Sequence, residues 1–139
     1  MRKLIQMTNQ LTITTGEALM LHHELSGFYN ESSSIKGLLN HKLPFNVKLQ
    51  LHKLSSQVEL IKTTYDAEIK PVFERLGTII DDRYFISSDS PNMAEYQTIN
   101  FELLNSEVVI DVPVINLECF SEVEDEHYYQ IFAKIYSNS

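Results

Sequence analysis

Hydrophobic residues in this chain recur with two different periods, and the change from one to the other marks its elements. Lys3 to Thr8 and Leu11 to Ile13 have a β-like pattern, and Thr14-Thr15-Gly16-Glu17 then has the spacing of a capping box, so a helix is expected to begin there. Ala18, Leu21, Leu25 and Phe28 follow every three or four residues as one apolar face, and Asn30 to Ser34 reads as its end. Pro44 suits the first turn of a second helix. Beyond it Val47, Leu51, Leu54, Val58, Ile61 and Tyr65 form a heptad seam, which continues after a stutter through Ile69, Val72 and Leu76 to Gly77, a natural left-handed terminator. Pro71 removes an amide from that helix and predicts a kink near residues 67–71.

The second half of the chain is more finely divided. Ile79-Ile80 and Tyr84-Phe85-Ile86 flank Asp81-Asp82-Arg83 as a small hairpin, although its turn lacks glycine. Ser90-Pro91 opens a helix with Met93, Tyr96, Ile99 and Leu103 on one side, ending near Asn105 or Ser106. From Val108 to Val114 apolar residues alternate with Asp111 and Pro113 as in a half-buried strand, and Pro113 places it at a sheet edge or ends it. Ser121-Glu122-Val123-Glu124 is a second capping box, before a helix with Tyr128, Ile131, Phe132 and Ile135 on its apolar face. The expected fold is a single α+β domain over residues 1–139, a kinked, coiled-coil-like helical hairpin with a small antiparallel sheet.

The segment Asn100-Phe101-Glu102-Leu103-Leu104-Asn105-Ser106-Glu107-Val108-Val109-Ile110, followed by Pro113-Val114-Ile115-Asn116-Leu117, resembles a loose group of small proteins of tailed phages and prophages. Those proteins carry a Phe-x-x-Leu-Leu-x-x-Glu-Val-x-Ile motif behind a long heptad helix. The resemblance spans about residues 38–120 and implies a phage origin without assigning an activity. Residues 1–37 and the tyrosine-rich C-terminal part depart from the pattern.

Charge changes the picture mainly by its distribution. The net charge is −8; residues 1–99 carry 10 basic and 11 acidic side chains, whereas residues 100–139 carry Lys134 alone against eight acidic ones. No Lys or Arg cluster exists to displace counterions from phosphate, which argues against nucleic-acid binding. Apolar runs too short to cross a bilayer, with no secretory signal pattern, lead to the expectation of a cytoplasmic protein that does not enter membranes. A single cysteine, Cys119, agrees with a reducing compartment and makes the Asn30-Glu31-Ser32 sequon a chance match.

Candidate chemistry is sparse. His22 and His23 point about 100° apart on a helix and do not share a metal as an i, i+4 pair does. His22 is expected at the border of the apolar face, with His23 in solvent. Cys119 lies between Glu118 and Phe120, where acidic surroundings blunt a thiolate, and its expected role is packing. The four glycines are isolated and form no phosphate loop. No catalytic residue, metal site or cofactor is expected.

The expectation is therefore a non-enzymatic protein-interaction protein, an adaptor or inhibitor. Its surface would combine the seam Val47, Leu51, Leu54, Val58, Ile61 and Tyr65 with the acidic, tyrosine-bearing patch Glu122, Glu124, Asp125, Glu126, Tyr128 and Tyr129. A homodimer is expected because the seam outnumbers what a three-turn first helix covers. The alternatives are a counter-defence protein that blocks a host immune factor or sequesters a signalling nucleotide, and a minor virion or assembly component.

Overall fold

The computed structural model describes residues 8–29, 34–115 and 129–137. It shows an α+β fold in which strand β1 (Thr8–Thr14) leads directly into helix α1 (Thr15–Ser26). The capping box forms as expected: Thr14 Oγ1 accepts the Glu17 amide at 3.1 Å, and Glu17 Oε1 accepts the Thr14 amide at 3.0 Å. The helix stops at Ser26, earlier than the Asn30–Ser34 break, because Gly27 takes a φ of 92° that other residues rarely adopt. Phe28 therefore leaves the helix for strand β2 (Gly27–Tyr29), which pairs with β3 (Ser34–Lys36). Gly37 follows, so close to the end of α1 that a Cβ there would lie 2.2 Å from the Leu25 carbonyl oxygen.

A 3₁₀ turn (Leu38–Asn40) leads to α2 (Phe45–Leu76), 32 residues long and about 48 Å at 1.5 Å per residue. Pro44 stands one residue before it as the N-cap. Val47, Leu51, Leu54 and Val58 are buried against α1 and against strand β6 (Glu107–Pro113), while Ile61 packs at the edge of the same core. Over Val47 to Val58 the seam is thus covered from within the chain. The helix continues through Pro71; both Pro71 and Ala67 are exposed, so water can serve the carbonyl that the proline leaves without an amide.

Strands β1 and β6 pair antiparallel over seven residues, from Thr8 opposite Pro113 to Thr14 opposite Glu107. Ile13, Ile110 and Val112 face the core, and Val109 and Asp111 face out. The alternation fails at the end of the strand, where Pro113 is buried and Val114 is 55% exposed. On the outer edge of β6 the Gln57 side-chain amide replaces a missing strand. It donates to the Asp111 carbonyl at 2.8 Å and accepts the Asp111 amide at 2.7 Å.

Past the core, α2 carries β4 (Thr78–Ile80), β5 (Arg83–Phe85) and α3 (Asn92–Leu104). Gly77 is extended, with φ −94°, and not left-handed; glycine is needed because a Cβ would come within 2.7 Å of the Phe73 carbonyl oxygen. The hairpin turn works without glycine because Asp81 and Asp82 themselves adopt φ of 53° and 63°, as a two-residue hairpin turn requires. Along α3 the expected face is only half-buried, held by Phe73 against Tyr96 and by Asn92 donating to the Leu76 carbonyl at 3.0 Å.

Helix α4 (Gln130–Ser137) closes the core with Ile131, Phe132 and Ile135. The second capping box, Ser121 to Glu124, and Tyr128 lie outside the described residues.

Candidate interaction surface

Glu24, on the apolar side of α1, is 2% exposed, and its two carboxylate oxygens accept the amides of Ile131 at 2.9 Å and Phe132 at 2.7 Å. It is a cap for α4 supplied from another helix, and the negative charge sits at the positive end of that helix. Burial pushes its carboxyl above the usual range, outweighing the two amide bonds that favour the charged form. Seven residues earlier on the same side, Glu17 accepts from Lys134, which with the Thr14 amide holds its carboxyl below the usual range. The two contacts lay α4 antiparallel along α1.

Tyr129, one of the expected surface residues, is a core residue. Only 5% exposed, it donates its hydroxyl hydrogen to the Lys36 carbonyl. His41 Nε2 lies 3.0 Å from the Tyr129 hydroxyl oxygen. Because the tyrosine hydrogen is committed to a carbonyl, His41 must present Nε2–H as the donor. Tyr129 therefore drops out of the surface: its ring is packed and its hydroxyl is occupied. Glu122, Glu124, Asp125, Glu126, Tyr128 and Cys119 lie outside the described residues.

The histidine pair behaves as its spacing implies. His22 is half-buried, His23 is exposed, and their rings stand 82° apart with centroids 5.9 Å from each other. Burial lowers the pKa of His22. Among the described residues no group of three or more His, Cys, Asp or Glu side chains is arranged to hold a metal ion, and no helix is long and apolar enough to cross a membrane.

The seam of α2 loses its cover at Ile61 and Tyr65, and there a groove of about 340 Å³ opens. Leu60, Ile61, Leu103 and Val108 supply its apolar surface, and Glu68 is the charged residue among the described lining. Thr15 fixes the groove's inner corner by donating both its amide, at 2.8 Å, and its hydroxyl, at 3.1 Å, to the Ser106 carbonyl. Tyr65 spans the outer side and donates to Asn100 Oδ1; burial raises its pKa. Of the six seam residues, then, four are interior and two line an open surface. Leu60, beside the seam and 67% exposed, was not legible as a site residue, because one apolar residue off a heptad is common on helix surfaces.

Compared with protein families, curated proteins and solved structures, the chain matches none.

Proposed function

We propose that this chain is a non-enzymatic, phage-encoded protein-interaction protein of the host cytoplasm, an adaptor or inhibitor that receives an apolar side chain of its partner in the groove at Ile61 and Tyr65. The observation that carries the reading is the interruption of the seam. An otherwise internal apolar stripe reaches the surface in a concave site whose walls come from four elements: α1, α2, α3 and β6. Leu60 extends the apolar surface at the rim, and Glu68 favours a partner that carries a cation beside its apolar anchor.

Among the described residues the groove lining contains Glu68 and no Lys or Arg, so phosphate groups would meet charge of their own sign there. A blocking role against a host immune factor therefore fits the site better than nucleotide sequestration does. Affinity capture from host lysate tests the reading, using the parent chain and Leu60→Arg, an exposed substitution that leaves the core alone. A protein retained by the parent and lost with Leu60→Arg, both showing the same circular dichroism, supports it. Identical captured proteins would refute this surface. A captured phage structural protein would indicate the virion or assembly role instead.

A further inference from the structure

The groove at Ile61 and Tyr65 lies within a helical hairpin. Helix α3 runs back antiparallel along α2, with Phe73 against Tyr96 and Tyr65 donating to Asn100 Oδ1. A furrow between two packed helices is a seat for a third, whose side chains fill the gaps between theirs. An added strand meets an obstruction instead. Gln57 already donates to and accepts from Asp111 on the outer edge of β6, so an extended segment would have to displace both bonds to pair there.

Size sets the number of anchors. A benzene ring fits a cavity of roughly 150 Å³, so the groove's 340 Å³ holds about two side chains of that size. On a helix such a pair stands at i, i+3 or i, i+4, with Cβ atoms about 5–6 Å apart.

Charge sets what must flank them. Glu68 lines the groove, and Glu102 and Glu107, which adjoin the lining residues Leu103, Ser106 and Val108 in sequence, are exposed. Among the described residues these three carboxylates have no ion-pair partner. Helices α1 and α3 and strand β6 contain no Lys or Arg. On α2 between residues 57 and 69 the single cation, Lys62, is committed to Asp66 at 2.7 Å.

We propose that the partner presents a basic amphipathic helix to the furrow between α2 and α3, with two apolar side chains one turn apart in the groove and Lys or Arg beside them toward Glu68, Glu102 and Glu107. The inference rests on the groove being the docking surface, and it adds the form and charge of what docks there.

Fluorescence anisotropy with labelled synthetic peptides of about 16 residues, long enough to hold a helix, tests it. The first peptide has Leu at i, i+3, i+4 and i+7 among Lys and Ala; the second has Glu for Lys; the third is the first with prolines in its interior. The first is expected to bind the parent chain with a Kd in the micromolar range, about tenfold or more tighter than either of the others. Leu60→Arg should weaken that binding about tenfold or more and Glu68→Gln about threefold, both with unchanged circular dichroism. The proposal is overturned if the acidic or the proline-interrupted peptide binds as tightly, if none binds, or if Leu60→Arg leaves the Kd unmoved. Lysate capture that still depends on Leu60 while the basic helix fails would refute the helix and leave the groove standing; capture indifferent to Leu60→Arg would refute the groove itself.

Discussion

Removing the carboxylate of Glu24 should destabilise the whole domain although the residue touches no ligand. In Glu24→Ala the amides of Ile131 and Phe132 lose their acceptors inside the core, and each unsatisfied buried donor costs about 1–3 kcal/mol. Two such losses give about 2–6 kcal/mol. Relief from burying a carboxylate offsets part of this, as the raised pKa indicates, and leaves a net cost of about 3 kcal/mol. For a chain of this size that is a fall in Tm of about 12 °C. Glu24→Gln keeps one acceptor and turns an NH₂ group toward the other amide, so about half the loss is expected.

Thermal unfolding followed by circular dichroism at pH 7 measures both variants, and hydrogen exchange should show protection lost first at Ile131 and Phe132. The pH dependence supplies an independent check. The folded protein holds the Glu24 proton more tightly than the unfolded chain does, so this residue's contribution is greatest below pH 4.5 and declines as pH rises through the folded value. Glu24→Gln should abolish that decline. A Glu24→Ala protein melting within about 2 °C of the parent would refute the capping argument.

Other substitutions probe the remaining contacts. Lys134→Ala should cost under about 1 kcal/mol, since the ammonium is largely exposed. It should also weaken the stability that Glu17 contributes above pH 4.5 and loses as pH falls through its lowered folded value, seen as a smaller drop in Tm between pH 5 and 3. Gly37→Ala sets a methyl group against the backbone of Leu25 and Ser26 and should lower Tm by more than about 8 °C, a loss of about 2 kcal/mol or more. Gly16→Ala meets nothing nearer than 3.4 Å and should raise stability by about 0.5–1 kcal/mol in the same assay. Asp82→Gly relaxes a φ of 63° and should stabilise the hairpin by about 0.5–1 kcal/mol, read as slower exchange of the Ile80 and Arg83 amides.

Elements whose causes are local in the chain could be read from the sequence. The Thr14–Glu17 capping box, the seam from Val47 to Val58 and the strand at residues 108–112 depend on neighbours within a few turns, and periodicity reports those directly. The misassigned residues have causes that periodicity does not report. Gly77 is glycine because of the Phe73 and Phe85 carbonyls and not for a left-handed φ, and Gly27, within the expected helix, has the positive φ that ends it. Tyr129 seemed to belong to an acidic surface because acidic residues precede it in sequence, yet its partners are Lys36 and His41. Glu24 did leave a signal: three residues after Leu21 and next to Leu25, it places a carboxylate on an apolar face. Such a residue needs a buried donor, and the pattern does not say which one. The groove was half legible, since Ile61 and Tyr65 belong to the seam while its other walls come from distant segments.

The bond from Glu24 to Ile131 joins residues 107 apart, and this sets a schedule for synthesis. At about 5–20 residues per second, the ribosome emits helix α1 roughly 5–20 s before the amides that its glutamate must cap. Helix α2 follows within the first half of that delay, but Leu21 and Leu25 lack α4 until its end, and β1 waits almost as long for β6. The nascent chain thus holds part of its future core open until α4 arrives, which makes that interval the period of greatest demand for a holding chaperone.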